Sequence, residues 1–518
     1  MNASAPDVVI LGGALAGAST ALLLRREHPG LRVLIVESST AFGRKVGEAT
    51  TEVSGEFFHR RLSLARHLTH EHLAKQSLRM WFTGDSGTPF DETVEIGSDL
   101  LSRYPAYQLD RAVLDEHLLA LAAGEGAEVW RPAEVVDVDF GSGGSVVTIQ
   151  RDGGTQRVSC RWVLDATGRK AFLAKKLGLH RKLEAHPTAA LWARFKGVRD
   201  WDGHELRARH TRYGSTVLAS RAAATNHLVG LGWWCWIIPL RGGDFSAGLV
   251  YDTRLFKPPQ GSSPAERLLA HIRYHPVGRE IFKDAVPVEG DCHARAPLPY
   301  YSQELAGPGW QLVGDAAGFI DPLYSPGMDY VSWTARTALA RIAAEIGSQP
   351  MDLGKLNADW RESYHSWFET LYKDKYYYLG DAELMSSAYL MDIGLFFVGP
   401  ARTSLVEQGG DDARCLPFVG PVDRIVGKFM RLYNTRLARI ARKRVAAGCY
   451  GCRNTGWQEL YRGMGPKPGV LRIIAKGFSR WIRAEIHALG LRPLPPQTNP
   501  SHAPPPIAGT RVATSAAP

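Results

Sequence analysis

Four consecutive apolar residues, Val8-Val9-Ile10-Leu11, run directly into Gly12-Gly13-Ala14-Leu15-Ala16-Gly17 and then into the Ala- and Leu-rich stretch Ala18–Arg26. No other feature constrains the chain as much. A short all-apolar run suits a parallel strand buried on both faces, and a glycine turn leading into a helix opens a βαβ unit. Arg32–Val36 supplies the second strand and ends at Glu37. In this context a G-x-G-x-x-G turn binds a dinucleotide. Gly12 permits the tight turn, Ala14 stands where a second glycine lets backbone approach a pyrophosphate, and Gly17 lets helix and strand pack closely. The methyl group of Ala14 narrows that approach. The helix N-terminus offers N–H groups and a positive dipole end to phosphates. Gly12, Gly13, Ala14 and Gly17 are thus candidate cofactor-binding residues, with Glu37 placed to accept hydrogen bonds from a ribose hydroxyl.

The rest of the chain extends this pattern. Arg111–Ala123 has the spacing of an amphipathic helix, and Glu134–Phe140 and Ser145–Gln150 read as a hairpin joined by Gly141–Gly144. Arg161–Asp165 is a further buried strand, followed by Gly168, while residues from about Ala189 to Tyr251, rich in β-formers and Trp, suggest an antiparallel sheet. Trp310–Asp315 returns to strand then turn, and Tyr330–Ile346 reads as a helix. The expected fold is α/β. A Rossmann-like nucleotide domain over residues 1–185 is interrupted by an antiparallel β-sheet substrate region over 186–300 and resumes over 301–350. A helical C-terminal region over 351–490 and a disordered Pro-rich tail over 491–518 follow.

Composition narrows the function classes. The 518 residues, 45% of them hydrophobic, can bury the cores of two or three domains. The formal charge of +10 allows an anionic cofactor or an acidic substrate, and much of the surplus lies in Lys428–Arg444. No nucleic-acid module accompanies it, so no nucleic-acid partner is expected. Six cysteines are too sparse for a disulfide-stapled secreted protein and fit a reducing cytosol. Cys449 and Cys452 form a lone C-x-x-C with no second pair or His cluster, so no metal site is expected. With no charged leader and no run of about 18 apolar residues, a soluble cytoplasmic protein is expected.

Asp165-Ala166-Thr167-Gly168 and Gly314-Asp315-Ala316-Ala317-Gly318 each follow a strand. Together with Gly12–Gly17 they resemble, in order and interval, the flavoprotein monooxygenase and halogenase superfamily. That resemblance implies FAD as cofactor, with Asp315 on the ribityl chain and Arg111 near the flavin phosphates. A narrower resemblance follows from Trp234-Cys235-Trp236-Ile237-Ile238-Pro239, Gly47-Glu48-Ala49-Thr50 and Asp321-Pro322-Leu323-Tyr324-Ser325. These are similar to the W-x-W-x-I-P, G-E-[SA]-T and D-P-[LV]-[FE]-S segments of flavin-dependent halogenases of the tryptophan-halogenase type. The likeness covers about residues 7 to 400.

In that family reduced FAD and O2 oxidise halide to hypohalous acid, and a lysine binds or relays the oxidant to an aromatic substrate. The matching lysine is Lys75. Its ammonium could donate a hydrogen bond to hypohalous acid, or become an amine if burial lowers its pKa; a surface lysine would look the same in sequence. The resemblance further implies a small-molecule or carrier-bound substrate, a separate flavin reductase, and a substrate pocket around Trp234, Trp236 and Pro326. One departure matters. The family's halide turn is Ser-Thr-Gly or Ser-Ser-Gly, whereas this chain has Ser325-Pro326-Gly327, and proline has no N–H. Losing one of two donors costs about 1–3 kcal/mol and lowers halide affinity about tenfold or more, leaving the amide of Gly327 as the other donor. Hydroxylation, dehydrogenation or reduction without halide is the competing activity. A third possibility, of another class, is a flavin-bound module that docks on a membrane or carrier protein through Val470–Leu489. That stripe is expected to pack on the protein body instead, with a membrane surface not among the expected partners.

Overall fold

The computed structural model describes residues 5–98, 104–215, 220–405, 416–461 and 467–492. The tail from 493 onward and Cys415 lie outside the described residues.

Val8–Leu11 is the centre of a six-stranded sheet, paired in parallel with Val33–Val36 on one side and Trp162–Asp165 on the other. Trp310–Leu312 and Glu128–Trp130 extend it in parallel, and Ala306–Gly307 adds an antiparallel edge. The four residues of each central strand are all buried because both faces are covered. Val8 and Ile10 meet the helices Leu15–Glu27, Arg111–Gly124 and Gly327–Ile346, whereas Val9 and Leu11 meet a three-stranded antiparallel sheet, Glu134–Gly141, Gly144–Arg151 and Gly154–Cys160. The period-2 alternation of a strand decides which residue faces which layer.

The second sheet has eight strands and straddles the expected region boundaries. Its order runs Val286–Arg295, Thr188–Lys196, Phe245–Asp252, Trp233–Pro239, Thr225–Gly230, Leu78–Phe82, Val94–Ser98, Gln458–Tyr461. Leu78–Phe82 pairs in parallel with Thr225–Gly230, and the four-residue strand Gln458–Tyr461, within the region expected to be helical, pairs with Val94–Ser98. Such pairings join segments more than a hundred residues apart, and local periodicity carries no information on them. Trp81, Leu228, Cys235 and Leu249 pack outward on helix Pro264–Tyr274, and Met80, Trp234, Trp236 and Val250 face the nucleotide sheet.

The C-terminal region adds Leu353–Trp367, Ala382–Val398, Pro421–Ala446 and Lys467–Leu489. Ala382–Val398 is apolar nearly all round because Lys467–Leu489 covers it. Their contact needs small residues. A Cβ at Gly477 would stand 2.7 Å from Met391 Cγ, and one at Gly394 2.4 Å from Ile474 Cγ1. Among the described residues no helix is long and apolar enough to cross a membrane.

Candidate active site

A groove of about 650 Å³ runs along the C-terminal ends of the parallel strands and on to the inner face of the second sheet. Gly12 has φ +96, and a Cβ there would come within 2.7 Å of the Ala166 carbonyl oxygen; a Cβ at Gly17 would lie 1.8 Å from that of Gly12. The turn and the close helix crossing therefore need glycine at both positions. Ala14 is the N-cap of helix Leu15–Glu27 and makes no side-chain cap, so the helix opens towards the groove with first-turn N–H groups uncapped by a side chain. Glu37 lines the same end. Its Oε2 accepts from the Gly13 N–H at 2.7 Å, and its Oε1 from the N–H and hydroxyl of Ser39 at 2.8 and 2.7 Å.

Gly168, Arg111, Asp315 and Gly327 also line this groove, but Asp165 does not. Its carboxylate accepts from the Thr167 N–H at 2.9 Å and the Leu173 N–H at 2.7 Å, so it builds the turn that presents Gly168. Arg111 is held by both oxygens of Asp115 at 3.0 and 3.1 Å. Burial raises the Asp315 carboxyl against the pull of Arg169 and Arg111. Arg44, Lys45, Arg169 and Arg295 line the groove as well, which the sequence motifs did not disclose. For Arg169 the signal was adjacency to Gly168; for the others only the folded chain brings the cations together.

A second cavity of about 130 Å³ lies beside the first, with a cluster of aromatic side chains that includes Trp367, Tyr389, Phe396 and Phe397 in part of its wall. Lys75 lies in it. It is 8% exposed, its ammonium donates to the Thr50 carbonyl at 2.7 Å, and burial pushes its pKa down to about 8 despite nearby Glu52 and Asp329. The G-E-A-T segment thus anchors the lysine directly. Asp329 lines the same cavity, accepting from the Thr51 hydroxyl at 2.6 Å and the Ser54 N–H at 3.1 Å, and burial raises its carboxyl to about 7.

The folded chain binds more protons at Asp329 than the unfolded chain between its ordinary pKa of 3.8 and about 7. Stability therefore falls as pH rises through that window, by up to about 1.4 kcal/mol per pH unit, and the loss levels off above it. Asp329→Asn is expected to flatten that slope in urea unfolding across the window. An unchanged slope would remove Asp329 as its cause.

The turn Tyr324–Gly327 separates the two cavities: Tyr324 lines the aromatic one, while Ser325 and Gly327 line the groove. Tyr324 and Ser325 both sit in the left-handed region, at φ +69 and +59, which side chains adopt only when surroundings impose it. The Tyr324 hydroxyl donates to Asp392 at 3.1 Å, and Lys375 donates to the same carboxylate at 2.5 Å. No sequence motif pointed to this buried anchor.

The two tryptophans lie on the groove side. Trp234 and Trp236 line the groove and not the Lys75 cavity, because strand alternation turns both towards the nucleotide sheet. Trp234 donates to the Tyr376 hydroxyl at 2.9 Å and Trp236 to Ser246 at 3.1 Å. Pro326 lines neither cavity and is the N-cap of helix Gly327–Ile346. His227 links the two sites. It lines the groove 4.8 Å from Trp234, and burial together with the Lys75 charge holds it neutral, with a pKa of about 3.

A glycine-turn groove on a parallel sheet, with cations around it and a partly aromatic cavity beside it, defines the class as a dinucleotide-binding α/β protein. The family model for tryptophan halogenase matches residues 7–83 and 89–372, and the chain belongs to that family. It is similar to the flavin-dependent halogenase chlA of Dictyostelium discoideum, with 26% identity over 62% of this chain and 57% of that protein. The tryptophan 2-halogenase of Chondromyces crocatus is 25% identical over 70% of this chain and 66% of its own length. A chlorinase of Pseudomonas fluorescens acting on 1H-pyrrole-2-carbonyl-[peptidyl-carrier protein] is 26% identical over 66% of this chain and 76% of its own. The chain thus spans under two thirds of the length of the first two relatives. In fold it matches the crystal structure of halogenase PltM, with a TM-score of 0.74 at 18% identity over 93% of this chain and 99% of that one.

Proposed function

We propose that this chain is an FAD-dependent oxidoreductase of the halogenase type, acting with O2 on an aromatic small molecule, free or carrier-bound, and supplied with reduced flavin by a separate reductase. The observation that carries this is the burial of Lys75 in an aromatic cavity one turn away from the groove. Gly12, Ala14, Arg111 and the other groove cations would hold the anionic dinucleotide, with Asp315 lining the same groove, while Gly13 and Gly17 shape the turn without lining it, and bound FAD supplies the oxidising chemistry. The chain's own part is geometric. The Tyr324–Gly327 turn keeps flavin and substrate apart, the aromatic walls exclude water, and the Lys75 ammonium presents a proton to an oxidant or substrate oxygen. The test is product mass after incubation of the protein with FAD, a flavin reductase, NADH, O2 and a panel of electron-rich arenes, with and without chloride or bromide. Halide-dependent mass gain is expected; a halide-independent gain of one oxygen would make it a monooxygenase.

That second reading is favoured by Pro326, which takes one N–H from the turn. Asp329, three residues on, adds little negative charge there, because its carboxyl group accepts from Thr51 and Ser54 and burial raises its pKa to about 7. Weak halide affinity is therefore expected from the missing donor, and Pro326→Thr should tighten it about tenfold. Halide titration of the flavin absorbance in both proteins decides: tight binding by the parent with no gain in the variant would refute this account.

A further inference from the structure

We infer that the outer face of the C-terminal helices Pro421–Ala446 and Lys467–Leu489 docks on an anionic lipid surface. Helix Lys467–Leu489 buries Ile473, Gly477, Trp481, Ala484 and Ala488, which is the packing expected of it. At about 100° per residue, Leu471, Ala475, Phe478, Ile482, Ile486 and Leu489 fall within a separate sector of about 80° that is about 27 Å long. All six are exposed, Leu471 by 63%, Ile486 by 59% and Leu489 by 83%, so this second stripe is no rim of the core. On the neighbouring helix Ile425, 70% exposed, and Leu432, 53% exposed, continue it across Phe429, whose ring stacks on that of Phe478. An exposed apolar face of this extent marks an interaction site.

Charge selects the occupant. The two helices carry thirteen Lys and Arg residues against two acids, Asp423 and Glu485, and seven of those cations, Arg424, Arg431, Arg436, Arg442, Arg444, Lys476 and Arg480, are paired with carboxylates of this chain. Both acids are engaged, Asp423 by the Phe418 N–H at 3.0 Å and Glu485 by Arg436 at 2.8 Å. Lys428 and Arg439 stand exposed on one side of the stripe and Arg472 and Arg483 on the other, none in an ion pair among the described residues. An apolar stripe between two cationic rims complements anionic headgroups above an acyl boundary. A second copy laid on this face would set cation against cation. The stripe's helix backs Ala382–Val398, which contributes Tyr389, Ile393 and Phe396 to the aromatic cavity, so docking brings that cavity within one helix layer of the lipid.

The test is co-sedimentation of the full chain with vesicles of phosphatidylcholine alone or mixed with phosphatidylglycerol. Binding is expected to the mixed vesicles, little to phosphatidylcholine alone, and less as salt rises. The double variant Ile482→Gln, Ile486→Gln alters only solvent-facing positions, so it should keep its flavin content and thermal midpoint while partitioning about tenfold more weakly. Arg472→Gln with Arg483→Gln should weaken binding to the mixed vesicles alone. Absence of binding by the parent, or equal binding by the Ile variant, overturns the inference. So does a lipid-free dimer in light scattering that the Ile variant converts to monomer, which would give the face to a second copy. Flavin content and product formation, read on the same samples, report on the flavin-enzyme proposal separately.

Discussion

Lys75→Ala is expected to keep full FAD occupancy while lowering turnover by about a thousandfold. An ammonium buried beside the Thr50 carbonyl and inside an aromatic wall is the cavity's positively charged donor, and positioned proton donors are worth about 10²–10⁴ in rate. The same side chain predicts a pH dependence. Burial brings its pKa to about 8, so the charged form prevails below that value and is lost above it. Activity should then fall as pH rises through about 8, and Lys75→Met should have a low rate without that limb. Full activity of the alanine variant, or an identical alkaline limb in the methionine variant, would return Lys75 to a structural role.

Gly12→Val is expected to abolish FAD retention. Valine would have to adopt φ +96 with its Cβ 2.7 Å from the Ala166 oxygen, a position set by the backbone of the adjacent strand. A β-branched residue in the left-handed region costs about 1–3 kcal/mol before any clash. Relief requires moving the helix N-terminus that would meet the pyrophosphate. The purified variant should therefore lack flavin absorbance, and adding FAD should not restore it. Full occupancy in that variant would place the dinucleotide elsewhere.

Much of this architecture was legible locally. The βαβ start, the hairpin at Glu134–Arg151 and helix Gly327–Ile346 follow from apolar spacing and turn residues, which act between near neighbours in the chain. The helix Leu15–Glu27 begins earlier than its Ala- and Leu-rich core suggested, because the glycine turn ends directly on its N-cap. The candidate site was legible only in part. Gly12, Glu37, Gly168, Arg111 and Asp315 line one groove. Trp234 and Trp236 share a segment with no local sign of which cavity they would face.

By itself, then, the sequence determined the residues whose chemistry is settled by covalent neighbours: the glycines that alone allow the nucleotide turn, the proline that removes an N–H at position 326, and the strands and helices set by periodicity. Only the tertiary structure decided that Lys75 is buried, that Asp165 builds a turn while Asp315 lines the groove, that Asp392 and Lys375 anchor Tyr324, and that Gln458–Tyr461 joins the second sheet. Burial, pKa shifts and strand pairing depend on groups brought together from distant parts of the chain, and so they exist only once it has folded.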